Sequence, residues 1–313
     1  MELTIILCTF NRANNLKNCV ERVSNQQDMD GVDWEILIVD NNSTDSTSEI
    51  VRDLKNIHTI NIRYVFEQEQ GLSYARNRGI NSTDSRYLVF IDDDILVEPQ
   101  WLHAIYSTFK EKDSDVVGGR IWVRGPSELP KWIVEEMPGD LGHLDYGDVP
   151  IRIDGHKKKL FGGNMAFDRR IFERIGLFDV RRGRRGEGRK WEELMKGSES
   201  DLFHRIADAF GRIDYSPEAI VYHKILPHQL EKKFFRSLEF SNGYQEIMLC
   251  DNKCNRDLLG VPYFMFRNAI EGIAKYIFQV FTHGPDRAFR QQIRIMNTIG
   301  KMFASYKKAN NSD

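Results

Sequence analysis

The sequence predicts an α/β fold in which helices flank a mostly parallel central sheet, followed by a helical C-terminal region. Three observations predict it. Short apolar runs alternate with segments of helical periodicity through residues 1–112, which is the pattern of right-handed βαβ units. A polar cluster follows each of the main apolar runs. From about residue 228 onward the hydrophobic periodicity becomes wholly helical.

The elements of the first half follow from hydrophobic spacing. Uncharged runs of bulky residues predict buried strands, and apolar residues three or four positions apart predict helices. The predicted strands are 4–8, 35–39, 63–66 and 87–91, and the predicted helices are 15–25, 46–54, 72–81 and about 99–110. The second half is less regular, with helices expected at 168–175 and 200–210, a strand at 219–222, and a Gly- and Arg-rich segment at 181–190.

Length and composition fit a soluble globular chain. The 313 residues are 41% hydrophobic and 29% charged, which is ordinary for such proteins. A net charge of -2 gives no global basic field that would recruit nucleic acid. The cysteines at 8, 19, 250 and 254 form no CxxC pair, and this usage fits a reducing cytoplasm. The N-terminus has no basic region of a secretion signal, and no stretch is long and apolar enough to span a bilayer.

Three consecutive carboxylates, Asp92, Asp93 and Asp94, directly follow the strand predicted at 87–91. In open α/β sheets, ligands bind at the carboxyl edge of the strands. Adjacent carboxylates repel each other and are costly to desolvate unless a cation neutralises them. Mn²⁺ and Mg²⁺ take oxygen ligands and commonly bridge to phosphates. The triplet therefore predicts a metal–diphosphate site, the alternative being an acidic turn before a helix opened by Pro99.

Six motifs in order resemble the inverting family 2 glycosyltransferases of the GT-A fold, over roughly residues 2–245. They are the residues at 8–12, 35–45, 71–79, 92–94, 162–164 and 197–202. The resemblance implies metal-dependent transfer of a sugar from a nucleotide-diphosphate donor to an acceptor hydroxyl, in cell-surface polysaccharide or glycolipid synthesis. A UDP-sugar is the expected donor, because Asp40 matches the aspartate that binds uracil in that family.

The resemblance also implies a role for particular residues. The expected donor-binding residues are Thr9, Asn11, Arg12, Asp40, Asn42, Arg76, Asp92 and Asp93. The expected ligands of Mn²⁺ or Mg²⁺ are Asp92, Asp94 and His223. For His223, the alternative is a histidine that ends a strand and makes an ordinary hydrogen bond. The expected acceptor-binding residues are Gly162, Gly163, Asn164 and Trp132.

The catalytic base is expected in the motif at 197–202. Many relatives carry Glu-Asp there, and the second acid takes the proton of the acceptor. Here Ser198 replaces the first acid and Glu199 takes the place of the second. A carboxylate is retained, so base catalysis remains available, with the assignment left open between Glu199 and Asp201.

We expect a catalytic domain at 1–225, with a nucleotide-sugar half at 1–112 and an acceptor half at 113–225, and a helical region at 226–313. The segment 263–281 is apolar except for a stripe at Arg267, Glu271, Lys275 and Gln279. A basic amphipathic segment follows at 287–306. The tail is either a cap on the catalytic domain, a homodimer interface, or a peripheral contact with an anionic membrane. We expect the chain to be cytoplasmic. If the tail contacts a membrane, we expect the chain to lie at its inner face.

Two other functions remain as alternatives. A sugar-phosphate nucleotidyltransferase would share the nucleotide fold, but it usually has a Gly-rich basic loop after the first strand, where this chain has Thr-Phe-Asn-Arg. A noncatalytic sugar- or partner-binding module on the same fold is compatible with Ser198. The intact carboxylates of the triplet and Glu199 favour the enzyme.

Overall fold

The computed structural model describes residues 1–125, 129–130, 132–133, 137–249 and 257–310. The chain forms two compact units. The first unit comprises 1–126, 136–186 and 197–225, and the second comprises 127–135, 187–196 and 226–313.

The first unit is built on one large sheet with strand order β3-β2-β1-β4-β8-β6-β9-β5, and β7 pairs with β9 at the side. Its first four strands run parallel to one another, while β8 is antiparallel to β4 and β6, and β5 and β7 are antiparallel to β9. The strands are β1 Leu3–Thr9, β2 Trp34–Asp40, β3 Asn61–Phe66, β4 Tyr87–Asp92, β5 Ile95–Val97, β6 Val116–Arg124, β7 Ile151–Ile153, β8 Met165–Asp168 and β9 Ile213–Lys224.

Helices cover this sheet, as the alternating pattern predicts. They are α1 Ala13–Ser24, α2 Thr47–Ile57, α3 Leu72–Asn81, α4 Trp101–Lys112, α5 Arg170–Ile175 and α6 Ser198–Asp208. The α/β fold is therefore confirmed, and α3 has the predicted bounds. Strands β5 to β8 were not predicted, because β5, β7 and β8 are short and β6 carries Gly118 and Gly119.

The strand register brings the polar clusters to one edge of the sheet. Thr9 at the end of β1 pairs with Asp40 at the end of β2, and Cys8 pairs with Asp92 at the end of β4. Cys8 itself is a buried core residue, and burial raises the pKa of its thiol to about 12. The carboxyl ends of β1, β2 and β4 thus present their polar residues side by side.

The second unit is mainly helical. Its helices are α7 Lys232–Met248, α8 Tyr263–His283 and α9 Pro285–Asn310. The two-residue strands β10 Asp257–Leu258 and β11 Val261–Pro262 pair antiparallel, so the expectation of a wholly helical tail is wrong at this point. Glycine lets α7 and α9 approach closely, because a Cβ at Gly300 would lie 2.1 Å from the carbonyl oxygen of Phe240. Cys250 and Cys254 lie outside the described residues.

Candidate active site

The loops after β1 and β2 are joined by hydrogen bonds at the sheet edge. Asn11 and Asn42 both have left-handed backbones, with φ of 50° and 66°, which asparagine tolerates better than most residues. The Asn11 side-chain oxygen accepts a hydrogen bond from the Thr44 amide at 2.8 Å, and the Asn11 amide donates to the Ser43 hydroxyl at 3.0 Å. These contacts fix the loop shape beside the predicted donor site.

Asp40 is buried beneath this loop. Its carboxylate accepts hydrogen bonds from the Ser43 amide at 2.9 Å and from the Tyr64 hydroxyl at 2.8 Å. Burial and the Asp40 contact raise the pKa of Tyr64, so its hydroxyl stays protonated as the donor. The loop conformation therefore depends on Asp40, and its contact with uracil stays a prediction.

Arg12 forms the cationic centre of the first carboxylate cluster. Its Nη1 donates to Asp93 Oδ1 at 3.0 Å and to Asp94 Oδ2 at 2.5 Å. The Thr9 hydroxyl donates to the other oxygen of Asp93 at 2.7 Å. Burial raises the pKa of Asp93 to about 7, since the lowering by Arg12 is partly offset by the adjacent charge of Asp94. Asp93 thus holds the turn together, whereas Asp94 also faces a second partner.

That second partner of Asp94 is His223, near the end of β9. The His223 Nδ1 lies 2.7 Å from the Leu141 carbonyl oxygen, which only accepts, so Nδ1 carries a proton. The Nε2 lies 3.5 Å from Asp94 Oδ1. Burial disfavours the imidazolium, but the Asp94 charge and hydrogen bond raise the pKa of His223 above its usual value. The ring is therefore oriented with Nε2 toward the carboxylate.

Arg76, on α3, organises the second carboxylate cluster. Its Nη1 donates to Glu199 Oε1 at 2.7 Å, and its Nη2 lies 3.7 Å from Asp92 Oδ1. The side chain is only 1% exposed, yet Nη2 is buried without a hydrogen-bond partner. A buried donor without a partner is costly, so Nη2 is a candidate contact for an anionic ligand.

Glu199 lies in the first turn of α6, and Ser198 supports it. The Ser198 hydroxyl donates to Glu199 Oε2 at 2.8 Å. Burial alone would raise the pKa of Glu199, but the charge and hydrogen bond of Arg76 lower it to about 2. The serine that departs from the family pattern is thus a hydrogen-bond donor to the retained carboxylate.

Glycines permit the approach of these side chains. A Cβ at Gly162 would lie 2.2 Å from Arg76 Nη2 and 2.5 Å from Glu199 Oε1, and a Cβ at Gly163 would lie 3.0 Å from Ile95 Cδ1. Asn164 is fully buried, accepting from the indole of Trp101 at 2.8 Å. The loop at 162–164 is therefore shaped by close packing against the second cluster.

Two further predicted site residues make other contacts, and their roles stay predictions. Asp201 is held by ion pairs with Arg205 at 2.9 Å and Arg182 at 3.6 Å. Trp132 belongs to the second unit, where its ring packs edge-on against Phe235 and Phe289 at centroid distances of 5.3 and 5.0 Å. Neither is among the contacts of Arg76 or Arg12.

Sequence reasoning did not single out Arg184, although it marked the Gly- and Arg-rich segment that contains it. The loop is fastened to α3, because the Leu72 amide donates to the Arg184 carbonyl at 2.9 Å and the Ser73 hydroxyl donates to the Arg182 carbonyl at 2.7 Å. Two effects lower the pKa of His223: burial, which is the larger, and the positive charge of Arg184. Within the described ranges, no carboxylate pairs with the half-buried Arg184 guanidinium.

The family model for glycosyl transferase family 2 matches residues 4–176, more than half of the chain. The chain belongs to this family. It is similar to the glucosyl-dolichyl phosphate glucuronosyltransferase of Haloferax volcanii, with 24% identity over 252 residues, which cover 79% of this chain and 76% of that protein. The chain is therefore a glycosyltransferase that uses a nucleotide-sugar donor, and the expected enzyme class is confirmed.

Solved structures of glycosyltransferases share the GT-A fold of this chain. The mannosyltransferase PcManGT from Pyrobaculum calidifontis, in complex with GDP-Man and Mn²⁺, has a TM-score of 0.60 at 16% identity, covering all of this chain and 88% of that one. GalNAc-T7 with UDP, GalNAc and Mn²⁺ has a TM-score of 0.56 at 15% identity, covering 79% of this chain and 50% of that one. The GT-A prediction is confirmed.

The donor atoms of the family 2 site suit a divalent cation. Among the described residues, no three His, Cys, Asp or Glu side chains are grouped so as to hold a metal by themselves. Asp94 and His223 nevertheless offer an oxygen and a nitrogen 3.5 Å apart, and the Nδ1 bond to Leu141 orients the ring as in metal-binding histidines. Because Mn²⁺ and Mg²⁺ complete their shells with phosphate oxygens and water, this pair fits a metal that arrives with a diphosphate.

Proposed function

We propose that this chain transfers a sugar from a UDP-sugar, with inversion and with a divalent metal, to a hydroxyl group of a lipid-linked acceptor. The observation that carries the proposal is the cluster of Glu199, Arg76 and Asp92 beside the glycine loop at 162–163. It brings together an ionised carboxylate, a buried guanidinium with an unpartnered N–H, and a half-exposed aspartate at the end of β4.

Glu199 is the proposed general base. Its side chain is 25% exposed, so an acceptor hydroxyl can reach it while Ser198 and Arg76 fix its orientation. A pKa lowered to about 2 keeps the carboxylate ionised at neutral pH. Asp201 is the weaker candidate, because its oxygens are held by Arg205 and Arg182. A single displacement assisted by one base inverts the anomeric centre.

Arg76 is the proposed link between the base and the donor. In the free chain its charge is shared between Glu199 and Asp92. The unpartnered Nη2 is free to donate to a donor oxygen, and such a contact would draw the guanidinium charge away from Glu199. The pKa of Glu199 would then rise, which strengthens the base when the donor is bound.

The diphosphate is proposed to lie on the side of Asp94, His223 and Arg184. Asp94 and His223 would hold the metal, with Asp92 directed to the donor ribose or to a metal-bound water. A divalent ion there would supply charge neutralisation for the departing diphosphate. Arg184, which pairs with no carboxylate among the described residues, would donate to the phosphate oxygens. Asp40 would contact the uracil ring from the loop after β2.

The acceptor class is proposed from the named relative. The Haloferax volcanii protein is named for transfer to a dolichyl-linked sugar, and a lipid-linked acceptor suits an enzyme that works at the inner face of a membrane. The proposed acceptor contacts remain Gly162, Gly163, Asn164 and Trp132. The proposed catalytic and helical domains remain 1–225 and 226–313.

The test is a panel of nucleotide sugars, incubated with a polyprenyl-phosphate-linked sugar, with release of nucleoside diphosphate as the readout. We expect UDP release that needs both the acceptor and Mn²⁺ or Mg²⁺ and stops with a chelator. The anomeric configuration of the isolated product should be the opposite of the donor's. Release of GDP alone would replace the UDP assignment, and formation of nucleotide sugar from sugar phosphate would indicate the nucleotidyltransferase instead.

A further inference from the structure

Helix α8 uses one face to pack within the second unit. The Met265 sulfur accepts from the Ser305 hydroxyl of α9 at 3.9 Å. A Cβ at Gly272 would lie 3.2 Å from Ile295 Cγ1 of α9, so the two helices are close at this point. Met265 and Gly272 are spaced by seven residues, which places them along one line of the helix. This line is the packed face of α8.

The opposite face of α8 is apolar and exposed. Its members recur at helical spacing over about 27 Å of helix length, on the side away from the packed face. We call them the outer face of α8: Tyr263, Ile270, Ile273, Ile277, Phe278 and Phe281. They are between 46% and 85% exposed. A contiguous apolar surface of this kind is uncommon on a soluble monomer and usually marks an interaction site.

The two helices α8 and α9 are rich in positive charge. Residues 263–310 contain eight lysines and arginines and two acids, a net charge of +6 in a chain whose total is -2. Lys275, Arg287 and Arg294 form no ion pair with any acid in the described part of the chain. The polar stripe with Arg267 and Glu271 flanks the apolar face, as in helices that lie in a membrane interface.

We propose that the outer face of α8 docks onto an anionic lipid surface, with the helix lying in the plane of the interface. Apolar burial and attraction to acidic headgroups act together on such a helix. A second copy of the chain is disfavoured as the occupant, because it would bring a second pair of helices whose residues 263–310 also carry a net charge of +6. No helix among the described residues is long and apolar enough to cross a bilayer. The docking is argued from α8 alone. Its role, which is access to a lipid-linked acceptor, rests on the proposed function.

Vesicle sedimentation with the full chain tests this docking. We expect binding to phosphatidylcholine vesicles that contain phosphatidylglycerol, little binding to phosphatidylcholine alone, and release at high salt because screening weakens the charge attraction. Replacing Phe278 and Phe281 together with glutamate should lower the partition at least tenfold. The matched control is Phe210→Glu, an equally exposed phenylalanine in the first unit (93%), which should bind like the wild type.

The charge contribution is tested separately. The double variant Arg287→Gln, Arg294→Gln should lose about fivefold in partition for each arginine removed. Arg52→Gln, Lys55→Gln removes two exposed cations from α2 of the first unit and should change nothing. All variants should keep the wild-type melting temperature, since the replaced side chains are exposed.

Several results would overturn the docking. They are equal binding to neutral vesicles, a wild-type monomer that ignores both vesicle types, and a salt-resistant dimer in light scattering without lipid. Stabilisation by UDP with metal is measured in parallel on the same samples. UDP stabilisation without vesicle binding refutes the docking alone, whereas vesicle binding without UDP stabilisation refutes the proposed donor.

Discussion

The two arginine-centred clusters at the sheet edge contain similar groups and differ in burial. Arg76 is 1% exposed and holds Glu199 and Asp92, whereas Arg12 is 25% exposed and holds Asp93 and Asp94. A buried guanidinium cannot leave its carboxylates without a large desolvation cost. A partly exposed one is already solvated and exchanges more readily. The Arg76 cluster therefore suits fixed electrostatics, and the Arg12 cluster suits exchange of one cation for another.

The first prediction tests Glu199, the proposed general base in the Arg76 cluster. Glu199→Gln removes the basic oxygen at nearly constant volume while Ser198 and Arg76 keep their positions. We expect turnover to fall by a factor of about 10² or more, with UDP affinity little changed. Asp201→Asn is the comparison, since Asp201 is engaged in ion pairs, and it should act mainly on stability. Inactivation by Asp201→Asn with an active Glu199→Gln would exchange the two roles. Glu218→Gln, at an exposed position of β9, is the neutral control.

The second prediction concerns stability against pH at the same residue. Glu199 has an ordinary pKa of 4.5 and a folded pKa of about 2. Its ionised form thus stabilises the folded state fully above pH 4.5, and this contribution is lost as the pH falls toward 2. At most about 3 kcal/mol is involved, from the size of the pKa difference. Urea unfolding should show a gap between wild type and Glu199→Gln above pH 4.5 that narrows below it. A gap that does not change with pH would mean that Arg76 does not hold the carboxylate ionised.

The third prediction tests the exchangeable cluster. Arg12 occupies Asp94 Oδ2 in the free chain, so a metal must compete with it. Arg12→Gln should therefore raise the affinity for Mn²⁺ without nucleotide several-fold, on the order of 1 kcal/mol for the removal of a partly exposed ion pair. Asp94→Ala should abolish Mn²⁺ binding, measured by the electron paramagnetic resonance of free Mn²⁺. Weaker Mn²⁺ binding by Arg12→Gln would mean that Arg12 supports the metal site.

The contrast between the clusters also explains what the sequence could predict. Asp92, Asp93 and Asp94 follow an apolar strand, and the parallel register then places them beside Thr9 and Asp40. The local sequence pattern is enough to predict that the triplet lies at this edge of the sheet. The division of the triplet between two arginines was not predictable, because the partners lie 16 residues from Asp92 in one case and 81 from Asp93 in the other. Ser198 as a donor to Glu199 likewise follows from the α6 backbone, and no pattern of residue types indicates it.

The packing of Trp132 also shows that local sequence patterns do not predict long-range contacts. The acceptor contact of Trp132 stays a prediction, and the sequence did not indicate that its ring packs on Phe235 and Phe289, which are more than 100 residues later in the chain. Long-range packing of this kind is set by tertiary structure, which local periodicity does not encode. By contrast, the apolar spacing of α8 indicated more apolar surface than one neighbouring helix can cover, and it left open whether protein or lipid covers the rest.

The last prediction extends the comparison to a third arginine. Arg184 is half-buried like Arg12, but it pairs with no described carboxylate, and its charge acts on His223. Arg184→Gln should weaken UDP binding about tenfold, the loss of one charge-assisted hydrogen bond to phosphate, and should leave binding of uridine alone unchanged. Arg181→Gln in the same loop is the matched control, because Arg181 pairs with Asp179 at 2.9 Å. Calorimetry with UDP and uridine separates the outcomes. An equal loss for both ligands would place Arg184 at the nucleoside, and no loss for either would leave the diphosphate to Arg76 and the metal.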